Sequence, residues 1–385
     1  MPLKPKRITD CLSILDLREL AARKLPSPLF NYLDGAAETE ITARHNTGAF
    51  DEIRLVPRCL VDVSAIRTSR RLLGQEVAWP VMCSPSGASR FYHPEGECAV
   101  ARAAAATGTL YGLSVMATHP LETIAAVSAG PKMFQVLLFK DRELTWGLVS
   151  RATKAGYAAL CLTVDANVRG KRERELRTGL GLPLRLSART LVSLARRPSW
   201  ALGQMRGGPL TLAHLADRID SRSLAAQSHY AAAQLDASAT WKDARDVADR
   251  WKGALAIKGI MCADDARRAM DAGATAIIVS NHGGRQLDGA AAPIEVLPEI
   301  ARAVGDRAEI ILDGGIRRGT HVLKALALGA TACAIGRAPL YGLAAGGEAG
   351  VKRALELLRA ELVIAMQLSG CADVTAVDPK LIRGT

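Results

Sequence analysis

The chain has 385 residues, 49% hydrophobic and 23% charged, with a formal net charge of +12. That balance fits a globular chain with a large core and excludes a disordered one. No uninterrupted apolar run reaches the roughly 18 residues of a spanning helix, and MPLKPKRITDC lacks a signal-peptide core, so a cytoplasmic protein is expected, with room for peripheral contact at the inner face of a membrane.

Residues 1–78 read as a helical segment packed on the remainder of the chain. From residue 79 short apolar runs alternate with Ala-rich helical patterns. The runs are 80–84, 109–114, 133–139, 159–165, 254–258, 276–280, 309–313 and 331–336. Continuous apolar runs indicate parallel strands buried on both faces. Helical stretches at 94–108, 142–156 and 263–273 each close on glycine, the usual C-terminal stop, and the last helix covers 351–370. Eight strands in strict alternation with helices specify an α/β chain folded as a (β/α)₈ TIM barrel over 79–370, with 371–385 as a tail. A doubly wound open sheet needs an early G-x-G-x-x-G, which is missing after the first run.

Residues 166–235 form a long connection after the fourth strand, and most of the net charge lies there. Between Arg169 and Arg222 twelve Lys or Arg face four acidic residues. Nucleic acid is not expected as a partner, because no binding motif accompanies the charge and aromatics are only 4% of the chain. An anionic membrane surface or an acidic small molecule fits better. The stretch SARTLVSLARRPSWALGQMR (187–206) mixes apolar residues with arginines. It reads equally well as a membrane-lying element and as a lid with a solvated basic face. The eight cysteines form no C-x-x-C pair and read as small buried hydrophobes in a reducing compartment. The histidines show no metal-ligand spacing, so no metal is expected.

Chemistry in such barrels collects at the C-terminal strand ends. There the sequence places Ser84, Ser114, Gln135, Thr163, Asp165, Lys258, Ser280 to His282, Asp313 and Gly336. The sixth run ends as AIIVSNHGGRQLDG, with a histidine, two glycines and an arginine in sequence. After runs seven and eight come DGGIRRGT and IGRAPLYG. Glycines allow close backbone approach, helix starts favour anions, and Arg317 and Arg337 add cations, so a phosphate site is expected.

SNHGGRQLDG, LTVDANVRGKRE, LAIKG, LDGGIRRGT, HPEGE and KALALGA resemble the FMN-dependent α-hydroxy acid dehydrogenases and oxidases. The likeness runs from KLPSPLFNYLDGAAETE (24–40) to SGCADV (369–374), and VRGKRERELR (168–177) is similar to mandelate dehydrogenases. The resemblance implies a (β/α)₈ barrel, bound FMN, a 2-hydroxy acid substrate and a homo-tetramer. It implies His282 as base with Asp165 as its partner. It implies Tyr32 and Arg285 on the substrate carboxylate, with Arg172 as a movable second cation. Lys258 falls beside the flavin N1–C2 edge. Ser114, Gln135, Thr163 and the backbone of Pro85, Ser86 and Gly87 fall on the ring, with Ser280 also on the cofactor side. Asp313, Gly315, Arg317, Gly336 and Arg337 fall on ribityl and phosphate.

These residue types suit that chemistry. Histidine titrates near neutrality and can take the proton lost on oxidation. A carboxylate on its other nitrogen fixes the tautomer. Arginine grips a carboxylate through two parallel hydrogen bonds.

The pattern departs at Leu137, where most relatives carry a tyrosine. Loss of that hydrogen bond costs about 1–3 kcal/mol if nothing replaces it. With Phe91, Tyr111 and Met116, Leu137 is expected to make an apolar pocket for a bulky or aromatic substituent. Gly87 stands where many oxygen-reducing relatives have alanine, which favours a quinone or another carrier as electron acceptor. An oxidase releasing peroxide is the alternative, and a flavin-binding barrel without hydroxy acid turnover is a further one.

Overall fold

The computed structural model describes residues 5–179, 192–193, 195–219 and 223–384. Eight strands follow in chain order: β1 (Val81–Ser86), β2 (Leu110–Ser114), β3 (Lys132–Val136), β4 (Ala159–Thr163), β5 (Ala254–Ile260), β6 (Ala276–Ser280), β7 (Glu309–Asp313) and β8 (Ala332–Ile335). All pair in parallel, each with its sequence neighbour, and β8 closes on β1. This is the expected (β/α)₈ barrel, and each strand overlaps its apolar run.

Strand ends differ from expectation where side chains capture the backbone. The third run continues apolar to Phe139, yet β3 stops at Val136. Thr145 Oγ1 accepts from the Phe139 amide at 3.2 Å and donates to the Leu137 carbonyl at 3.2 Å, which turns the chain toward the next helix. That capture leaves Leu137 on a loop. β1 runs on to Ser86 with a register shift against β2 between Cys83 and Ser86. The last helix spans Arg337–Ser369 and kinks at Gly346 and Gly347, so the expected 351–370 helix is its second arm.

The barrel interior is filled by Met82, Leu110, Met133, Ala159, Cys161, Ala256, Ala276, Ile278, Ile311, Ala332 and Ala334. Five of these are alanine, and the space they leave admits Leu72, Leu73 and Val77 from a hairpin of Arg70–Leu72 and Gln75–Val77. The Leu73 amide donates to Glu309 Oε2 at 2.7 Å, anchoring this plug at the start of β7. One end of the barrel is therefore packed, and the other is free for chemistry.

Helices α1 (Ile14–Lys24), α2 (Ser27–Asp34) and α3 (Ile41–Glu52) precede the hairpin. Ser13 caps α1 through the Asp16 amide, and α2 starts with proline at its first turn. Arg353 of the last helix donates to the Cys11 carbonyl at 2.7 Å, tying the start of α1 to the barrel wall.

In the long connection, helices at Glu173–Arg177, Pro198–Arg206 and Leu224–Gln234 are described. The second docks on the loop after β1. Trp200 Nε1 donates to the Phe91 carbonyl at 2.9 Å, and Gln204 Nε2 to the Arg90 carbonyl at 2.6 Å. Val192, Leu202 and Met205 are exposed. Residues 180–191, 194 and 220–222 lie outside the described residues, including Arg185, Arg189 and Arg222 and part of the 187–206 stretch. Five cysteines are buried and Cys371 is half-buried, but Cys59 and Cys262 are exposed, contrary to a uniformly buried set.

Candidate active site

The C-terminal strand ends surround a cavity of about 350 Å³. Its wall contains the site residues expected from the sequence except Tyr111, Asp165, Ser280 and Asn281. Tyr32 comes from α2 and Pro85, Ser86 and Gly87 from β1 and its exit. Ser114, Gln135, Thr163 and Lys258 come from β2 to β5, and His282 and Arg285 from the loop after β6. Asp313 ends β7 with Gly315 and Arg317 after it, and Gly336 and Arg337 follow β8.

His282 stands at φ +57, a left-handed conformation uncommon outside glycine. Its amide donates to Ser280 Oγ at 3.0 Å, and its Nδ1 meets Asp165 Oδ1 at 3.0 Å. Burial alone would raise the Asp165 carboxyl, but His282 and then Lys258 outweigh it and hold it below the usual carboxylate range. An ionised Asp165 only accepts, so Nδ1 carries a proton, and in the neutral imidazole Nε2 is then the acceptor. Gly259, at φ +109, makes room for this pair: a Cβ there would lie 2.6 Å from Asp165 Cβ.

Ser280 lies beneath the cavity rather than in its wall. Its hydroxyl donates to Asp313 Oδ2 at 2.8 Å and accepts from Lys258 Nζ at 2.6 Å. Lys258 Nζ also meets Asp313 Oδ2 at 2.6 Å. Burial would lower the lysine, but Asp313 and Asp165 raise it above its ordinary value, so it stays charged. In the wall at β2 and β3, Gln135 Oε1 accepts from Ser114 Oγ at 3.0 Å and the Val115 amide at 3.2 Å.

Arg285 Nη1 donates to the carbonyls of Tyr32 and Gly35 at 3.0 and 2.6 Å, and its guanidinium lies 5.5 Å from the Tyr32 ring centroid. Its Nη2 meets Glu175 Oε1 at 2.9 Å. Glu175 is buried and also faces Arg169 at 2.9 Å and Arg172 at 3.6 Å. Burial, reinforced by Arg285, pushes Arg172 down to about 10. At the far end Arg337 bonds only neutral carbonyls among the described residues, those of Leu33, Gly283 and Gly35, and burial pushes it down to about 10. Arg317 donates to the Ile316 carbonyl. Neither guanidinium forms an ion pair with a described carboxylate. Between them Gly315 is held at φ +76, and a Cβ there would fall 1.8 Å from the Asn46 carbonyl oxygen.

The charges leave a surplus. Arg169, Arg172, Lys258, Arg285, Arg317 and Arg337 line the cavity. Among the described residues three carboxylates answer them: Asp313 in the wall, with Asp165 and Glu175 behind it. A surplus of three positive charges calls for anionic ligands at both ends.

The remaining wall is apolar. Phe91, Met116 and Leu137 are joined by Leu212, Leu224, Ala231 and Leu235 from the long connection. Tyr111, expected here, is instead buried in the core between barrel and helices. Gly87 has a local steric cause: a Cβ would lie 2.8 Å from Met116 Cβ. Sequence reasoning missed Glu175, Arg169, Gln286 and the apolar residues of the connection. Glu175 looked like one more surface charge in a basic stretch. Its only signal was a carboxylate three residues beyond a candidate substrate cation.

Residues 21–384 match the family model described as FMN-dependent dehydrogenase. The L-lactate dehydrogenase of Caulobacter vibrioides is 42% identical over 373 residues, covering 96% of this chain and 97% of that protein. The L-lactate oxidase of a Nostoc species is 43% identical over 382 residues, covering 98% and 99%. Among solved structures, the monotopic membrane protein (S)-mandelate dehydrogenase superposes with a TM-score of 0.92 at 37% identity, covering 97% of this chain and all of that one.

Proposed function

The chain belongs to the FMN-dependent dehydrogenase family, and from that premise we propose how this cavity oxidises a 2-hydroxy acid to the 2-oxo acid. The carrying observation is the charge surplus of three, set against carboxylate-paired His282. A phosphate monoester brings close to two negative charges and a monocarboxylate one. FMN at the Gly315, Arg317, Gly336 and Arg337 end and a monocarboxylic acid at the Arg172 and Arg285 end together neutralise the site. FMN, when bound, supplies the two-electron acceptor.

Arg285 and Arg172 grip the substrate carboxylate, with the Tyr32 ring beside Arg285. His282 Nε2 takes the proton that leaves the substrate, and Asp165 stabilises the resulting imidazolium. Lys258 is a fixed cation on the cofactor side, held by Asp313 and Ser280. Ser114, Gln135, Thr163 and the Pro85 to Gly87 backbone form the bed for the ring, with Ser280 acting through Lys258 and Asp313. Phe91, Met116, Leu137 and the apolar residues of the connection suit an apolar substituent on the acid.

For the electron acceptor we propose a quinone or other carrier, reached by a peripheral membrane contact along the 169–222 segment of a homo-tetramer. Exposed Val192, Leu202 and Met205 near arginines support that contact, as does likeness to a monotopic membrane enzyme. No described helix is long and apolar enough to cross a membrane. The L-lactate oxidase relative keeps oxygen as the second reading.

The test is anaerobic mixing of the FMN-loaded protein with glycolate, L-lactate, a long-chain 2-hydroxy acid and L-mandelate while flavin absorbance is followed. Bleaching by at least one acid is expected, fastest with an apolar substituent. His282→Gln should keep FMN and lose bleaching. Reduction of that variant at the normal rate rejects His282 as base. Admitting air then separates a dehydrogenase from an oxidase.

A further inference from the structure

We propose that Gln286 is a positioning residue that staples the segment carrying Asp165 and Arg172 across the loop carrying His282 and Arg285. The inference rests on the functional reading above and adds to it a residue that touches the cavity and orders both halves of its machinery.

Residues 165–172 leave β4 without regular structure and must bring two functional groups to opposite sides of one substrate. Gln286 meets this segment with its whole side-chain amide. Its Nε2 donates to the carbonyls of Asp165 and Val168 at 2.8 and 2.7 Å. Its Oε1 accepts from the Gly170 amide at 3.2 Å and from Arg172 Nη2 at 3.3 Å. A carboxamide offers two donors and a carbonyl oxygen with two lone pairs, so all four places are filled by one eight-residue strip. A flipped amide would set its oxygen against two carbonyls, so the partners fix its orientation.

Two further contacts brace the same crossing. A Cβ on Gly170 would lie 2.5 Å from the Gln286 carbonyl oxygen and 2.6 Å from that of Arg285, so the backbones approach as only glycine permits. Arg172 Nε donates to the Arg285 carbonyl at 3.2 Å. Arg172 therefore has its guanidinium aimed by Gln286 and the Arg285 backbone rather than by its ion pair with Glu175, which is 3.6 Å long. The Asp165 carbonyl is pinned at the residue whose carboxylate holds His282 Nδ1. Displacing the strip disturbs carboxylate binding and the base together.

The test uses the FMN-loaded full chain in four forms: unaltered, Gln286→Met, Arg172→Met and the double variant. Benzoate, an inert monocarboxylate, is titrated against flavin absorbance, and the rate of anaerobic reduction is measured with the best acid of the panel. Gln286→Met is expected to weaken benzoate binding about tenfold, the scale of one lost charge-assisted contact. That weakening should largely vanish in the Arg172→Met background, because the lost contact acts through Arg172. Reduction should slow in both backgrounds, because Asp165 is released in both. Additive effects on benzoate binding, or normal binding and reduction by Gln286→Met, overturn the proposal.

If Gln286→Met fails to hold FMN, Gln286→Glu decides. Ionised, it faces two carbonyls with no donor; protonated, it recovers one. Its benzoate affinity should improve toward acid pH relative to the unaltered protein, and a parallel pH profile overturns the role. Failure of the unaltered protein to reduce with any acid, while it still binds benzoate, counts against the functional reading and leaves the benzoate comparison standing.

Discussion

At the scale of single residues, Glu97 is a buried carboxylate outside the site with four donors. It is fully buried and accepts from the Ser89 and Thr118 amides at 3.0 Å each, from Thr118 Oγ1 at 2.7 Å, and from His119 Nδ1 at 2.8 Å. It thereby joins the loop after β1 to the loop after β2, which carry Gly87 and Met116. Burial would lower His119, but hydrogen bonds to Cys98 and Glu97 outweigh it and raise it to about 9. The folded value exceeds the ordinary 6.5. The stabilisation is therefore complete below about pH 6.5 and is lost as pH rises through about 9. We expect His119→Gln to cost about 1.5–3 kcal/mol near pH 6 and much less near pH 10, read from urea midpoints. A cost independent of pH rejects the charged pair. His119 looked solitary in sequence, since Glu97 is far from it in the chain. His282 and Arg285 were legible because their motif is contiguous, whereas Glu175 and Gln286 act through partners brought near only by folding.

Among the elements, α3 holds the loop after β6 that carries His282. Its own N-cap residue, Glu40, is left-handed and makes no side-chain cap. Asp288, beyond His282 in the same loop, supplies the cap instead. It accepts from the Thr42 amide at 2.8 Å, the Ile41 amide at 3.3 Å and Thr39 Oγ1 at 3.0 Å. Burial opposes ionisation, but these donors hold its carboxyl at about 2. Lower down the helix, Asn46 and Asn281 exchange amide hydrogen bonds at 2.8 and 2.7 Å, and Asn46 also backs Gly315 in the cavity wall. Asp288→Ala should cost about 1–2 kcal/mol of stability by thermal unfolding. Asp288→Asn, which keeps an accepting oxygen, should cost less, and equal losses would discount capping. The eight strands were readable because each apolar run has strand length and a polar end. The misplaced limits fall where Thr145 captures backbone and where Gly346 and Gly347 bend a helix, events no local pattern records. The helix Leu224–Gln234 was invisible as part of the site for the same reason: its alanines gain meaning only above the cavity.

Over the whole molecule, charge is segregated more sharply than composition suggests. The plugged end carries the hairpin, while the connection whose described residues line the cavity at the open end carries, in sequence, most of the basic surplus. A surface of that kind binds anionic membranes by long-range attraction that salt screens. The protein should co-sediment with vesicles containing phosphatidylserine at about 0.05 M salt and be released at about 0.5 M. It should ignore purely zwitterionic vesicles. No sedimentation with anionic vesicles at low salt would reject the membrane contact. The barrel wall has one more consequence, for how the protein ages. Cys83 in β1 and Cys161 in β4 have thiols pushed up to about 12 by burial, and Cys333 in β8 is raised further. Only thiolates react readily with peroxide, and at neutral pH these sulfurs are almost wholly protonated. Oxidative wear therefore begins at exposed Cys59 and Cys262, on the outside, and reaches the staves of the barrel last.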